Sequence, residues 1–274
     1  NYDERRDAEL MSSHFSTSQY EQVINAGDLR WSLPRVVYHL EDLRVGMCYP
    51  NYYISRLASK FVKVCLQGTG GDELYCGYPW RYYKVFDSLN QQEFFDQYYD
   101  FWQRLVPDNQ KEELFTDQVK KAIDLDLPRE IFERVFTFND KLKYDTPEDH
   151  INNSLYFEIK TFLPGLLLVG DKLAMASGLE ERFPFLDNDL VDYAQTIPVK
   201  HKLGNLEKEI ERIDENIGKK KSTYRQFDDG KNVLRKAMEG FIPKEIVDRK
   251  KQGFSAPDES WYRGENAEYV KELL

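Results

Sequence analysis

Apolar positions recur at helical spacing over much of the chain and bunch into short runs at a few places. Residues 3–14, DERRDAELMSSH, set Ala8, Leu10 and Met11 along one side of a charged segment and predict a helix. YEQVIN, 20–25, reads as a short strand, and RWSLPRVVYHLED, 30–42, as a helix with Pro34 near its start, where a missing N–H is harmless. YYISRLASK, 52–60, is amphipathic, and FVKVCLQG, 61–68, reads as a buried strand that ends on glycine. Helix, strand, helix, helix, strand and turn is the order of a parallel sheet covered by helices, so the fold class is α/β.

From about 88 to 150 the character turns aromatic and acidic, with prolines at 107 and 128 and apolar residues at helical spacing; this stretch reads as a helical insertion. From 151 a long helical region, INNSLYFEIKTFLPGLLLVGDKLAMASGLEERFPFLD, is apolar on most sides and therefore largely buried. DNDLVDYAQTI, 187–197, is a short helix with Asp187 at its N-cap and Pro198 past its end. The region 203–230 is polar and loop-rich. KNVLRKAMEGF, 231–241, is a helix closed by Gly240, and Pro243 opens PKEIVDRKK.

Composition narrows the function classes. With 274 residues, 41% apolar and 31% charged, the chain describes a soluble globular protein able to bury a sizeable core. A formal charge of -10 argues against broad nucleic-acid binding, which needs a basic surface. The cluster Lys219-Lys220-Lys221 reads as a solvated face. Cys48, Cys65 and Cys76 form no CxxC pair, and Cys65, inside an apolar run, reads as a small core residue. No signal-peptide stretch opens the sequence, and FLPGLLLVG is too short to span a bilayer, so no membrane role is expected and a cytoplasmic setting fits.

The chemistry gathers at LQGTGGDELYCGY, 66–78. A Gly-rich turn at the carboxyl end of a parallel strand exposes backbone N–H groups to an anion. Two readings stand side by side: Gly68, Gly70 and Gly71 permit a tight turn and Asp72 caps the next helix, or the turn cradles a nucleotide. GxGxxG fails at Glu73 and there is no GK[ST]. Anion donors beside Asp72 and Glu73 suit a nucleotide carried with Mg²⁺, whose charge lets carboxylates and phosphates share a site.

This stretch resembles the S-G-[DE]-G-x-D-E-x-F-x-G-Y loop in the synthetase domain of glutamine-dependent asparagine synthetases. LLLVGDKLAMASGLEERFPFLDNDLVDYA is similar to the family's D-[RK]-x-x-M-A-x-x-x-E-x-R-x-P-F-L-D stretch, and LRKAMEGFIPKEIVDRKKQGFSAPDESWYRG resembles its C-terminal L-R-x-A…R-x-K-x-G-F…W run. The three lie in the family's order. The resemblance implies part of the parallel sheet of an adenine-nucleotide alpha-hydrolase-like (PP-loop ATP pyrophosphatase) domain with a largely helical C-terminal half. It implies ATP and Mg²⁺ as cofactors and an ATP-dependent ligase that adenylates the side-chain carboxylate of aspartate and then admits ammonia. Gln67, Gly68, Thr69, Gly70 and Gly71 would border the nucleotide, Asp72 and Glu73 the metal, and Asp72 also the amino-acid substrate. Lys251 would contact phosphate or the intermediate; its local alternative is a surface cation at a helix end. Glu180 is a candidate for proton transfer, as in related β-lactam-forming enzymes, or else half of a structural ion pair with Arg182. Asp171 and Lys172 match an acidic-basic pair expected to orient their neighbours.

Three departures qualify the resemblance. The family's S-G-G-x-D-S pyrophosphate loop is not found, so residues 1–274 read as an incomplete synthetase domain, expected to be inactive alone. Ammonia is expected from a glutaminase domain not in this chain. Thr69 stands where the family usually has an acid, and a hydroxyl cannot carry a carboxylate's charge. That motivates two alternatives: a related adenylating amidotransferase or β-lactam-type synthetase acting on another carboxylate, or a non-catalytic family member. A homo-oligomer is left open.

Overall fold

The computed structural model describes residues 3–42, 48–103, 106–204, 229–249, 251 and 265–273. It is mostly helical around a small parallel sheet. The expectations for Lys219 to Lys221 and for most of 203–230 fall outside the described residues.

Helix α1, Arg5–His14, forms as the spacing predicts but buries no side chain. Helix α2, Ala26–Leu40, starts four residues earlier than the pattern suggested. The reason is its cap: Asn25 N–H donates to Asp28 Oδ2 at 2.7 Å. Pro34 therefore falls inside the helix rather than near its start. Helix α3, Cys48–Ala58, packs against α2 and against α11, Leu163–Met175, around Leu29, Val36, Leu40, Tyr49 and Leu173.

YEQVIN is not a strand. Val23 is exposed and Tyr20 lies against Phe61, ring centroids 4.1 Å apart, so the segment lies across the surface and makes no ladder. Of 61–68 only β1, Val64–Leu66, is extended, and it pairs in parallel with β2, Glu180–Arg182. The strand is also less buried than expected. Val64 and Leu66 are exposed, Leu66 at 73%, and Cys65 is only partly covered. The long helical region from 151 likewise breaks up. Helix α10, Pro147–Phe157, runs into a π turn, Glu158–Phe162, then α11, then β2 and a 3-10 turn, Pro184–Leu186. A three-residue strand reading Glu-Glu-Arg carries no apolar period to announce it.

The stretch read as an insertion contains helices: α6 Gln91–Trp102, α7 Asp108–Leu114, α8 Asp117–Ala122 and α9 Leu127–Thr137 follow two single turns, α4 Gly71–Leu74 and α5 Pro79–Tyr82. Its aromatics form the largest core. Phe94, Tyr98, Phe101, Phe132, Phe136 and Phe157 are buried together, and the Phe136 and Phe157 rings stack 5.5 Å apart. Beyond β2, Asp187 caps α12, Asn188–Thr196, by accepting from Asp189 N–H and Leu190 N–H. Then come α13 Val199–Lys202, α14 Asn232–Met238, α15 Lys244–Val247 and α16 Glu265–Leu273. Gly240, at φ +83°, follows α14 as its closing residue. No helix among the described residues is long and apolar enough to cross a membrane.

Candidate functional site

The turn after β1 is shaped by what it touches. Gly70 has φ +100°, and a Cβ there would lie 2.4 Å from Leu186 Cδ2, so only glycine fits. Gly71 sits against the Phe185 ring, whereas Gly68 faces open space. Gly70 is the N-cap of α4, which corrects the reading of Asp72 as the cap.

Asp72 instead turns its carboxylate to two ammonium groups. Lys231 Nζ lies 2.7 Å from Oδ1 and Lys251 Nζ 3.0 Å from Oδ2. The two lysines come from distant parts of the chain, and the backbone explains how one of them arrives. Gly77 N–H donates to Asp72 O at 2.7 Å, Lys231 N–H donates to Tyr75 O at 2.9 Å, and Lys231 takes a left-handed φ of 60°. A Cβ on Gly77 would fall 1.8 Å from Asp72 Oδ1, and one on Gly230 would fall 2.3 Å from Cys76 O. The turn 72–77 and the segment before α14 are thus pressed together, which sets Lys231 beside Asp72. A cavity of about 360 Å³ opens here, lined by Gly77, Gly230, Lys231, Leu234, Met238 and Lys251 among others.

Burial alone would raise the pKa of Asp72, but Lys251 and Lys231 together outweigh it and hold the carboxyl below its ordinary value. Burial pulls Lys251 below the usual lysine value; Asp72 opposes the shift and Lys231 adds to it. The cluster holds two positive charges and one negative, which suits an incoming anion.

Glu73 does not share this point. It is 1% exposed and accepts from Tyr78 Oη at 2.8 Å. The Tyr78 ring lies under two cations, with Arg81 Cζ 3.9 Å and Lys251 Nζ 5.1 Å from its centroid. Arg81 in turn reaches Glu158 Oε1 at 3.3 Å, and Tyr82 Oη donates to Glu158 Oε2 at 3.0 Å. Complete burial raises Glu158 to about 7, with Arg81 pulling the other way. No group of three or more His, Cys, Asp or Glu side chains able to hold a metal forms among the described residues. Asp72 and Glu73 have separate partners.

The other candidates occupy the strand ends. Gln67 Nε2 donates to Glu181 Oε1, and Thr69 Oγ1 donates to Gln67 Oε1 at 3.3 Å. Glu180 is exposed and pairs with Arg182 at 2.9 Å, the ion-pair alternative for that residue. Lys172 donates to Leu40 O at 2.8 Å and pairs with Glu41, tying α11 to the end of α2.

Asp72 and Lys251 are therefore in direct contact across 179 positions of sequence. Lys231, Gly77, Glu158 and Glu181 were not singled out by sequence. A lysine after a glycine at a helix start was the one available sign for Lys231; Glu158 sat unremarked in an apolar run.

The family described as Asparagine synthase matches residues 1–274. Asparagine synthetase [glutamine-hydrolyzing] 1 of Bacillus subtilis (strain 168) is 28% identical over 92% of this chain and 40% of its own length. Asparagine synthetase [glutamine-hydrolyzing] 3 of the same organism is 26% identical over 97% of this chain and 38% of its own length. Amidase chry2 of Gibberella zeae is 26% identical over 45% of this chain and 16% of its own length. The chain thus spans about two fifths of the length of the two synthetases.

Proposed function

The chain belongs to the asparagine synthase family, and from that premise we propose that it is the ATP-handling part of an amide-forming ligase, in which aspartate's side-chain carboxylate is adenylated and then attacked by ammonia. One observation carries the reading: Asp72, on the turn after β1, meets both Lys231 and Lys251 at hydrogen-bond distance beside an open cavity. Adenylation builds negative charge on the departing pyrophosphate, and preorganised ammonium groups stabilise such charge most where water is scarce. In this reading the lysines face phosphate oxygens, and Asp72 keeps them placed and accepts from the substrate's ammonium group. ATP is the nucleotide. Magnesium would accompany it and offset the charge of the phosphates. Ammonia comes from a glutaminase unit outside residues 1–274, in keeping with the glutamine-hydrolyzing names of the synthetase relatives.

The experiment is pyrophosphate release from ATP by the natural full-length polypeptide, supplied with aspartate and ammonia. Aspartate-dependent release that Lys251→Met abolishes is the expected outcome; release with no preference for aspartate over other carboxylates would remove the acceptor from the reading. Thr69 favours one alternative, a related adenylating enzyme with a different carboxylate, and the same assay across a panel of acids separates the two. Saturable Mg·ATP binding counts against a non-catalytic member.

A further inference from the structure

Glu181 is a buried carboxylate that the chemistry above does not use. It lies on β2 with 9% of its surface exposed, and its Oε1 accepts from Gln67 Nε2. Its Oε2 is buried with no hydrogen-bond partner among the described residues. Gly170 of α11 makes room for it, since a Cβ there would lie 2.6 Å from Oε2. A buried carboxylate left this way is expensive and calls for a reason beyond packing.

The direction of the hydrogen bonds supplies one. Glu181 Oε1 accepts from Gln67 Nε2, so the Gln67 amide turns its NH2 to Glu181 and its carbonyl to Thr69. A hydroxyl has one hydrogen, and Thr69 gives it to Gln67 Oε1. Its lone pairs are then left for a donor arriving from outside. Thr69 is only partly buried and stands three residues before Asp72 on the same turn. A hydroxyl fixed in this sense keeps the accepting role of the acid that the family resemblance places at 69, without its charge.

We propose that Glu181, acting through Gln67, is a positioning residue that fixes Thr69 as a hydrogen-bond acceptor for an N–H group of the substrate, a primary ammonium or amine bound beside Asp72. The inference rests on the proposed function insofar as an amino-bearing carboxylate is the acceptor. Glu181 touches no substrate; it acts by removing the freedom of the Gln67 amide and thus of the Thr69 hydroxyl.

Two measurements on the full-length protein test it. The first is hydrogen exchange of the Gln67 side-chain NH2 by NMR: protection in the wild type, lost about tenfold in Glu181→Leu and kept in Thr69→Val, is expected. Unchanged protection in Glu181→Leu overturns the relay. The second is calorimetric titration, with Mg·ATP present, of aspartate against succinate, which has the same two carboxylates and no ammonium group. We expect a preference for aspartate that falls by about tenfold in both Glu181→Gln, which keeps the packing, and Thr69→Val. An undiminished preference in either variant overturns the assignment. If the wild type binds no aspartate, the acceptor in the proposed function fails and the amine role of Thr69 falls with it, while amide protection still judges the relay separately.

Discussion

The aromatic block built from residues 79–157 and the two-strand sheet differ in how they handle apolar surface. In the block, Phe94, Tyr98, Phe101 and Phe136 are covered on all sides, and the fully buried carboxylate of Glu158, just past the end of α10, meets Arg81, Tyr82 and Tyr98. At the sheet, Phe61, Val62, Val64 and Leu66 face outward, and the ladder is three residues long. A parallel pair that short gains little by itself. What holds its turn in place is contact at the far side, where Leu186, Phe185 and the segment before α14 press on residues 70–77. The candidate site lies on that pressed side, so its geometry depends on packing and ion pairs more than on strand pairing.

Mutations can break this contrast, in descending order of effect. Glu158→Ala removes the buried carboxylate that pairs with Arg81 and is expected to cost about 3–5 kcal/mol in chemical denaturation. Phe94→Ala opens a cavity in the same block and is expected to cost about 3–5 kcal/mol as well. At the site, Lys251→Met or Lys231→Met is expected to lower turnover of the proposed reaction by about 10²–10³-fold, as read by pyrophosphate release.

The pH dependence sharpens the contrast further. The Glu158 carboxyl is held at about 7 in the folded chain against an ordinary value near 4.5. An acid raised in this way makes its full contribution below about pH 4.5 and loses it as pH rises through 7, a change of about 3 kcal/mol. Subtracting the curve of Glu158→Gln from that of the wild type cancels other groups and should leave this decline between pH 4.5 and 8. Asp72 runs the opposite way: its lowered pKa gives stability above the ordinary carboxylate value that disappears only at strongly acidic pH. The smallest expected effect is at the sheet, where Leu66→Ser should change stability by no more than about 0.5 kcal/mol.

The helices of the insertion were legible because Phe94, Phe95, Tyr98, Phe101 and Trp102 repeat at helical spacing. Asp187 announced its cap by type and place. The sheet was legible only as an alternation: the middle of 61–68 became β1, but β2 is a charged triplet whose identity as a strand depends on its partner. The start of α2 was misplaced because the Asn25 and Asp28 capping pair outweighed the signal of Pro34. For the site, motif order brought Asp72 and Lys251 to notice. Lys231 escaped, since its place is fixed by Gly77 and Gly230 having no side chain, a tertiary fact with no local period.

The doubly occupied Asp72 has a consequence for what can enter. A single carboxylate holds both ammonium groups and leaves a net charge of one, so a newcomer meets a field already partly spent and must share its partners with a resident carboxylate. A single negative charge such as chloride or acetate gains too little from that sharing to displace it. In the proposed reaction a chain of linked phosphates would take both lysines at once and release Asp72 toward a cation in the same event, and the resting pair would then act as a filter by valence.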